Sequence, residues 1–251
     1  MTAQAKSDVK VEVKGLTKRF GDLLVLDNIN FQVKNGEFLA IVGPTGCGKT
    51  TFLNVLSKLI PATSGQILLD GTEADPKKHN LAFVFQEPSS MPWLTVRQNV
   101  ELGMDIKGVP VKTRKERLEK ILTLVGLNEC ADLLPNQISA SMEQRVSVSR
   151  AFATNPDLLL MDEPYGQLDI KLRYYLEDEL IKLWNELRST VIFVTHNIEE
   201  AVYVAERILV LTNKPTTIKA EIEVDLPRPR NYLDDDFIRI RKQVTDLIKW
   251  W

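Results

Sequence analysis

Apolar and polar positions along this chain switch between a period of two and a period near 3.6, and the switches mark its elements. Val9–Val13 (VKVEV) alternates, and Val25–Val33 (VLDNINFQV) keeps apolar residues at odd spacing until Asn35-Gly36 turns the chain, so strands are expected at both. Glu37–Val42 (EFLAIV) is a short apolar run bounded by glycine, the pattern of a buried strand. A glycine-rich loop follows, and from Lys49 to Leu59 the spacing is helical until Pro61 stops it. Gly65–Asp70 (GQILLD) and Leu81–Gln86 (LAFVFQ) read as two further strands.

From Glu87 to Thr154 the character changes to Lys, Glu and Leu at helical spacing. Val111–Val125, for example, sets Leu118, Ile121, Leu122 and Val125 on one helix face. Strands return at Leu158–Met161 and Val191–Thr195, with a helix expected over Lys171–Leu187 between them. Strand, loop, helix and strand again is the order of a parallel α/β core, and the helical middle interrupts it as an inserted subdomain. From Tyr232, residues Phe237, Ile240, Val244, Leu247 and Ile248 space out as an amphipathic helix. The expected division is 1–86 for an N-terminal β-subdomain and the first half of the core, 87–154 for the helical subdomain, 155–230 for the second half, and 231–251 for the helical tail.

Composition narrows the class. The chain has 251 residues, 44% hydrophobic and 26% charged, which excludes wholesale disorder. Lys and Arg total 32 against 34 Asp and Glu, a net charge of -2, which argues against a nucleic-acid binder that relies on a broad basic field. Two cysteines, Cys47 and Cys130, make neither a disulfide framework nor a zinc cage, and fit a reducing cytoplasm. The opening MTAQAKSDVK has no apolar core and does not read as a signal peptide. Apolar runs fall short of the roughly 18 residues that a membrane span needs, so any membrane role is expected to come through a partner.

The chemistry concentrates at Gly43–Thr50, GPTGCGKT, a match to G-x-x-x-x-G-K-[ST] between an expected strand and an expected helix. At ordinary residue frequencies such a match arises by chance in about one chain in a hundred of this length. Gly43, Gly46 and Gly48 let backbone N–H groups turn towards phosphate oxygens, and the helix that follows points its positive end at the same place. Lys49 supplies a mobile charge for the β- and γ-phosphates, and Thr50 a hydroxyl for Mg²⁺. Cys47 reads as a filler of the loop. The expected nucleotide contacts run through Gly43, Pro44, Thr45, Gly46, Cys47, Gly48, Lys49, Thr50 and Thr51.

Other strand ends carry further polar groups. LLLMDEP (Leu158–Pro164) brings Asp162 and Glu163 to the carboxyl edge of the sheet, Asp162 to hold Mg²⁺ and Glu163 to orient and deprotonate an attacking water. His196, closing VIFVTH, is placed for a γ-phosphate contact, and Gln86, closing LAFVFQ, for Mg²⁺ or water. Four strand ends are thus expected to converge on one edge.

These residues, in this order, resemble the ATP-binding subunits of ABC transporters. GPTGCGKT looks like the Walker A loop, Gln86 like the Q-loop glutamine, and LLLMDEP like the Walker B strand with its catalytic glutamate. Gln167-Leu168-Asp169 is similar to the D-loop, His196 to the switch histidine, and Phe20 in LTKRF to the A-loop aromatic that stacks on adenine. The match runs from Val11 to the C-terminus, and PSSMPWLTVRQNV, VDLPRPR and the helical tail resemble the nitrate/sulfonate/taurine group of bacterial importers. The implied fold is a P-loop NTPase core of mostly parallel sheet with an antiparallel β-subdomain and an inserted α-helical subdomain. The implied activity is ATP hydrolysis with Mg²⁺, catalysed by Glu163, His196, Gln86 and Lys49, with Thr50, Gln86 and Asp162 at the metal.

One segment departs from the family pattern. The signature L-S-G-G-x-x-Q-R stands here as Ile138-Ser139-Ala140-Ser141-Met142-Glu143-Gln144-Arg145, with both glycines replaced. In the family this segment caps the γ-phosphate held by the opposite subunit, so Ser139, Ala140 and Ser141 join the expected nucleotide contacts, and the added Cβ atoms are expected to weaken the cap. The resemblance further implies a second cassette as partner, a copy of this chain or a paralogue, and transmembrane permease subunits. It also implies an indirect link to a solute-binding protein, no nucleic acid, and a peripheral position on the cytoplasmic face of the inner membrane. Met91, Pro92 and Trp93, apolar residues of an expected surface loop, read either as permease contacts or as local packing of that loop. The competing reading is an ATP-dependent conformational switch with weak hydrolysis that serves a non-transport assembly.

Overall fold

The structure is a computed structural model that describes residues 8–76, 78–166, 168 and 170–248. Two compact units divide the chain, one formed by the segments 1–79 and 190–251, the other by Asn80–Ser189.

The first unit holds two sheets. Strands β1 (Val9–Phe20) and β2 (Leu23–Lys34) form an antiparallel hairpin, β4 (Ser64–Leu69) pairs antiparallel on the other edge of β1, and the short β5 (Thr72–Glu73) follows it. Alternation decides which face is buried: Ile29, Phe31 and Val33 point inwards while Asn28, Asn30 and Gln32 face solvent. The other sheet is mixed. In it β3 (Phe38–Val42) runs parallel to β8 (Thr190–Thr195) on one side and β9 (Arg207–Leu211) on the other, and β10 (Ile218–Glu223) pairs antiparallel with β9. Every residue of β3 and β8 is buried, which is why both read as apolar runs without alternation.

Helix α1 (Lys49–Leu56) ends three residues before the expected Leu59. The helix closes through its own backbone, with Lys58 at φ 62° and the Ile60 N–H donating to Asn54 O at 3.1 Å, before Pro61 is reached. The unit is completed by α6 (Ile198–Val204) and α7 (Asp235–Ile248). Phe237, Ile240, Val244 and Ile248 are the buried stripe of α7, as their spacing predicts, while Leu247 is half-buried.

The second unit holds a parallel pair, β6 (Leu81–Val84) and β7 (Leu158–Asp162), and four helices. Between the two strands lie α2 (Val96–Ile106), α3 (Val111–Leu124) and α4 (Ala140–Ala153), and α5 (Ile170–Leu187) follows β7. Thr95 opens α2 with a capping box, its hydroxyl accepting from Gln98 N while the Gln98 side chain accepts from Thr95 N. Leu118, Ile121, Leu122 and Val125 are buried, as their spacing predicts. Strand β6 stops two residues before Gln86, which is exposed beyond the ladder. The fold is α/β, with a mixed sheet, an antiparallel sheet and a helical insertion between two strands.

Candidate functional site: a phosphate-binding loop

The loop Gly43–Gly48 leaves the buried end of β3 and runs straight into α1. Gly48 is the N-cap of α1 at φ 111°, a conformation open to glycine, and Gly46 sits at φ 76°. Cys47 N donates to Pro44 O at 3.1 Å, and the Thr216 hydroxyl donates to Cys47 O, pinning the loop from outside. Burial pushes the Cys47 thiol up, so this side chain is a neutral filler. Thr45, Gly46 and Thr50 are exposed, and Thr51 is half-buried.

Lys49 is buried, and its Nζ donates to Gly43 O at 3.0 Å and to Pro44 O at 3.1 Å. The loop therefore curls around an ammonium group. The first turn of α1 reads Lys-Thr-Thr-Phe, without a carboxylate to compete for its N–H groups. A helix N-terminus, a curled backbone and one cation are the physical requirements for gripping a polyphosphate.

The register of the mixed sheet places His196. Thr195 pairs with Val42, so the chain leaves β8 at His196 beside the point where it leaves β3 at Gly43. The Thr195 hydroxyl accepts from Asn197 N at 3.0 Å and donates to the Glu200 carboxylate. Asn197 in turn caps α6, its Oδ1 accepting from Glu199 N at 2.9 Å. The backbone on both sides of the exposed His196 is therefore held. Phe20, at the end of β1, is 48% exposed, with Lys18 Nζ 4.7 Å from its ring centroid.

In the second unit Asp162 ends β7 and is buried. Glu163 follows at φ 44°, a left-handed backbone that costs a non-glycine residue about 1 kcal/mol or more. Gly166 N donates to Glu163 O at 3.1 Å, and a Cβ placed on Gly166 would lie 3.7 Å from both Gln86 Nε2 and Glu163 Oε2. The Gln86 amide and the Glu163 carboxylate thus both lie against Gly166. Ser139 is the N-cap of α4, its Oγ accepting from Met142 N at 3.3 Å and sharing a hydrogen bond with Ser141 Oγ at 2.9 Å. Ala140 is exposed and Ser141 half-buried. Of the segment Gln167-Leu168-Asp169, Gln167 and Asp169 lie outside the described residues.

Three polar anchors escape sequence reasoning. Asn99, fully buried in α2, accepts from Met91 N at 2.7 Å and donates to the carbonyls of Met91, Leu94 and Thr95 at 2.9–3.1 Å, shaping the loop that carries Trp93. Arg150 of α4 reaches Ser89 O at 2.8 Å and Ser89 Oγ at 2.5 Å. Arg230 lies in a pocket of backbone carbonyls in the first unit. Only Arg230 has a local sequence signal, the run VDLPRPR, because prolines flanking basic residues mark a chain laid down without secondary structure.

A phosphate loop between a buried parallel strand and the N-terminus of a helix defines a P-loop nucleotide hydrolase. Residues 26–166 match the family model described as ABC transporter. An uncharacterized ABC transporter ATP-binding protein of Methanocaldococcus jannaschii is 42% identical, covering 96% of this chain and 92% of that protein. The aliphatic sulfonates import ATP-binding protein SsuB of Bacillus cereus is 38% identical, covering 92% of this chain and 91% of that one. Among solved structures, a dimeric ATP-binding cassette in a post-hydrolysis state bound to ADP and Pi superposes with a TM-score of 0.74 at 33% identity, covering 86% of this chain and all of that one. The chain belongs to the ABC transporter family, as an ATP-binding cassette with ATPase activity.

Proposed function

We propose that this cassette closes on ATP together with a second cassette and hydrolyses it to energise solute import through a membrane permease of the nitrate, sulfonate and taurine group. The observation that carries the reading is the β3–β8 register, which sets His196 beside the start of a loop already curled around Lys49. Lys49 exchanges the carbonyls of Gly43 and Pro44 for phosphate oxygens, and the N–H groups of Gly43–Thr51 cradle the chain of phosphates. Phe20 offers its half-exposed ring to adenine.

Thr50, Asp162 and Gln86 supply a hydroxyl, a carboxylate and an amide oxygen, a hard-oxygen donor set that fits Mg²⁺. Mg²⁺ held there would neutralise charge on the phosphates. Glu163 takes the proton from the attacking water, and Gln86, beside it at Gly166, orients that water. His196 and Lys49 face the charge that develops on the γ-phosphate. Ser139, Ala140 and Ser141 cap the nucleotide of the opposite cassette.

The permease is expected against the loop of Met91, Pro92 and Trp93, where Trp93 is 72% exposed. A groove of about 310 Å³, lined by Leu94, Gln98, Glu101, Leu102, Asp105 and Arg114, continues from that loop. None of the described helices is long and apolar enough to cross a membrane. In this reading the cassette attaches to the cytoplasmic face through the permease. Likeness to SsuB supports sulfonate-type cargo. The switch with weak hydrolysis is favoured by one feature, the Ser139 hydroxyl engaged by Ser141 where the family has glycine.

The test combines two variants of the complex with its permease. Glu163→Gln should retain ATP while turnover falls by about a hundredfold or more, and Lys49→Ala should weaken ATP binding by at least about tenfold. Robust turnover in Glu163→Gln would remove Glu163 from its role. ATP binding with negligible turnover in the unsubstituted complex, permease present or not, would select the switch.

A further inference from the structure

Helix α6 is only seven residues long, Ile198–Val204, too short to be stable by itself. Because it ends at Val204, the carbonyls of Val202, Tyr203 and Val204 have no N–H four residues further along the helix. The next N–H groups are turned elsewhere: Ala205 N donates to Ala201 O at 3.0 Å and Glu206 N to Phe38 O at 2.8 Å. Both arginines of the VDLPRPR run fill the gap. Arg230 Nη1 donates to Val202 O at 2.6 Å, Tyr203 O at 3.0 Å and Ala205 O at 2.6 Å, while Arg228 Nη2 donates to Val204 O at 2.6 Å. Arg230 also reaches back to its own segment, Nη2 to Val224 O at 3.0 Å and Nε to Leu226 O at 3.4 Å.

Two cations at a helix C-terminus also complement its negative end. Arg230 is 7% exposed, and burial lowers its pKa to about 10, which still leaves it charged at neutral pH. The tail grips α6 at two further places. Tyr232 stacks on Tyr203 with centroids 4.6 Å apart and planes at 3°, and Arg241 of α7 pairs with Glu199 in the first turn of α6. Thus the segment from Val224 through α7 holds the short helix at its end, its flank and its start. His196 stands immediately before the Asn197 cap of that helix.

We propose that Arg230, assisted by Arg228, is a positioning residue for ATP hydrolysis: by closing the C-terminus of α6 it fixes the approach of His196 to the γ-phosphate. The proposal rests on the catalytic reading of His196 given above. The phosphate loop is held by other contacts, those of β3 and Thr216, so the tail governs turnover and leaves nucleotide affinity to the loop.

The experiment measures steady-state ATPase kinetics of the full chain carrying Arg230→Lys, Arg228→Gln and His196→Ala, singly and with each arginine change added to His196→Ala. Arg230→Lys should lower kcat about tenfold, Arg228→Gln less, each with the KM for ATP within about twofold. Neither should lower the residual rate of His196→Ala further, because both act through the same side chain. A loss that persists in full on the His196→Ala background would overturn the positioning role, as would unchanged kcat in folded Arg230→Lys and Arg228→Gln. Should Arg230→Lys fail to fold, Arg228→Gln decides by the same criteria, since it removes the bond to Val204 O and the 4.0 Å ion pair with Glu206 at a less buried side chain. Full turnover in His196→Ala would bring down the catalytic reading and this proposal together. Loss in His196→Ala alone would bring down only the proposal.

Discussion

Replacing Gly48 by alanine tests how tightly the phosphate loop is built, and the structure separates two costs. The first is backbone strain: φ 111° is closed to an L side chain, a penalty of about 1–2 kcal/mol or more. The second is steric. A Cβ on Gly48 would lie 2.8 Å from Val25 Cγ1, and Val25 is a buried β-branched residue of β2 with little rotamer freedom to retreat. Together they predict a loss of about 2–4 kcal/mol. Gly46→Ala is the control. It shares the positive φ, at 76°, but its Cβ would meet nothing within 4 Å, so it should lose only about 1–2 kcal/mol. Urea unfolding followed by circular dichroism gives the stabilities, and ATP titration gives the consequence for the loop. Adding Val25→Ala to Gly48→Ala removes the obstructing methyl and should return about 1–2 kcal/mol as a favourable coupling. Equal losses in Gly46→Ala and Gly48→Ala, or no coupling to Val25, would refute the steric part of this reasoning.

Two further outcomes follow from anchors in the second unit. Asn99→Ala removes four hydrogen bonds and leaves the backbone of Met91, Leu94 and Thr95 without that partner, so it should cost about 2–4 kcal/mol and weaken co-purification with the permease; a midpoint in urea matching the unsubstituted protein would contradict it. Restoring glycine at both Ala140 and Ser141 frees the Ser139 hydroxyl from Ser141 and removes two side chains at the start of α4, so ATP turnover of the assembled complex should rise, and unchanged turnover would dismiss the weakened cap.

Much of the architecture is legible in the linear pattern because single elements announce themselves by period. β3 and β8 are apolar runs because both of their faces are covered, and α7 carries its buried stripe where the spacing puts it. The phosphate loop is legible for another reason: its glycines, lysine and threonine must be contiguous, since one short stretch of backbone does the gripping. β9, β10 and α6 carry no such signal. Their stretches are short, and β10 alternates weakly between half-buried and exposed positions on the edge of a sheet. The early end of α1 was equally hidden, because Lys58 adopts a left-handed conformation that its side chain does not advertise.

The order of residues alone determined that this is a nucleotide-gripping α/β protein of the ABC transporter family, because that chemistry is written within eight consecutive residues and a few strand ends. Tertiary structure decided what stands next to what. The pairing of Thr195 with Val42 sets His196 beside the loop, Gly166 has both Gln86 and Glu163 against it, and Arg230 finds the open end of α6 from 25–28 residues away. Such meetings depend on sheet register and on where unpaired carbonyls are buried, and neither is encoded in local spacing.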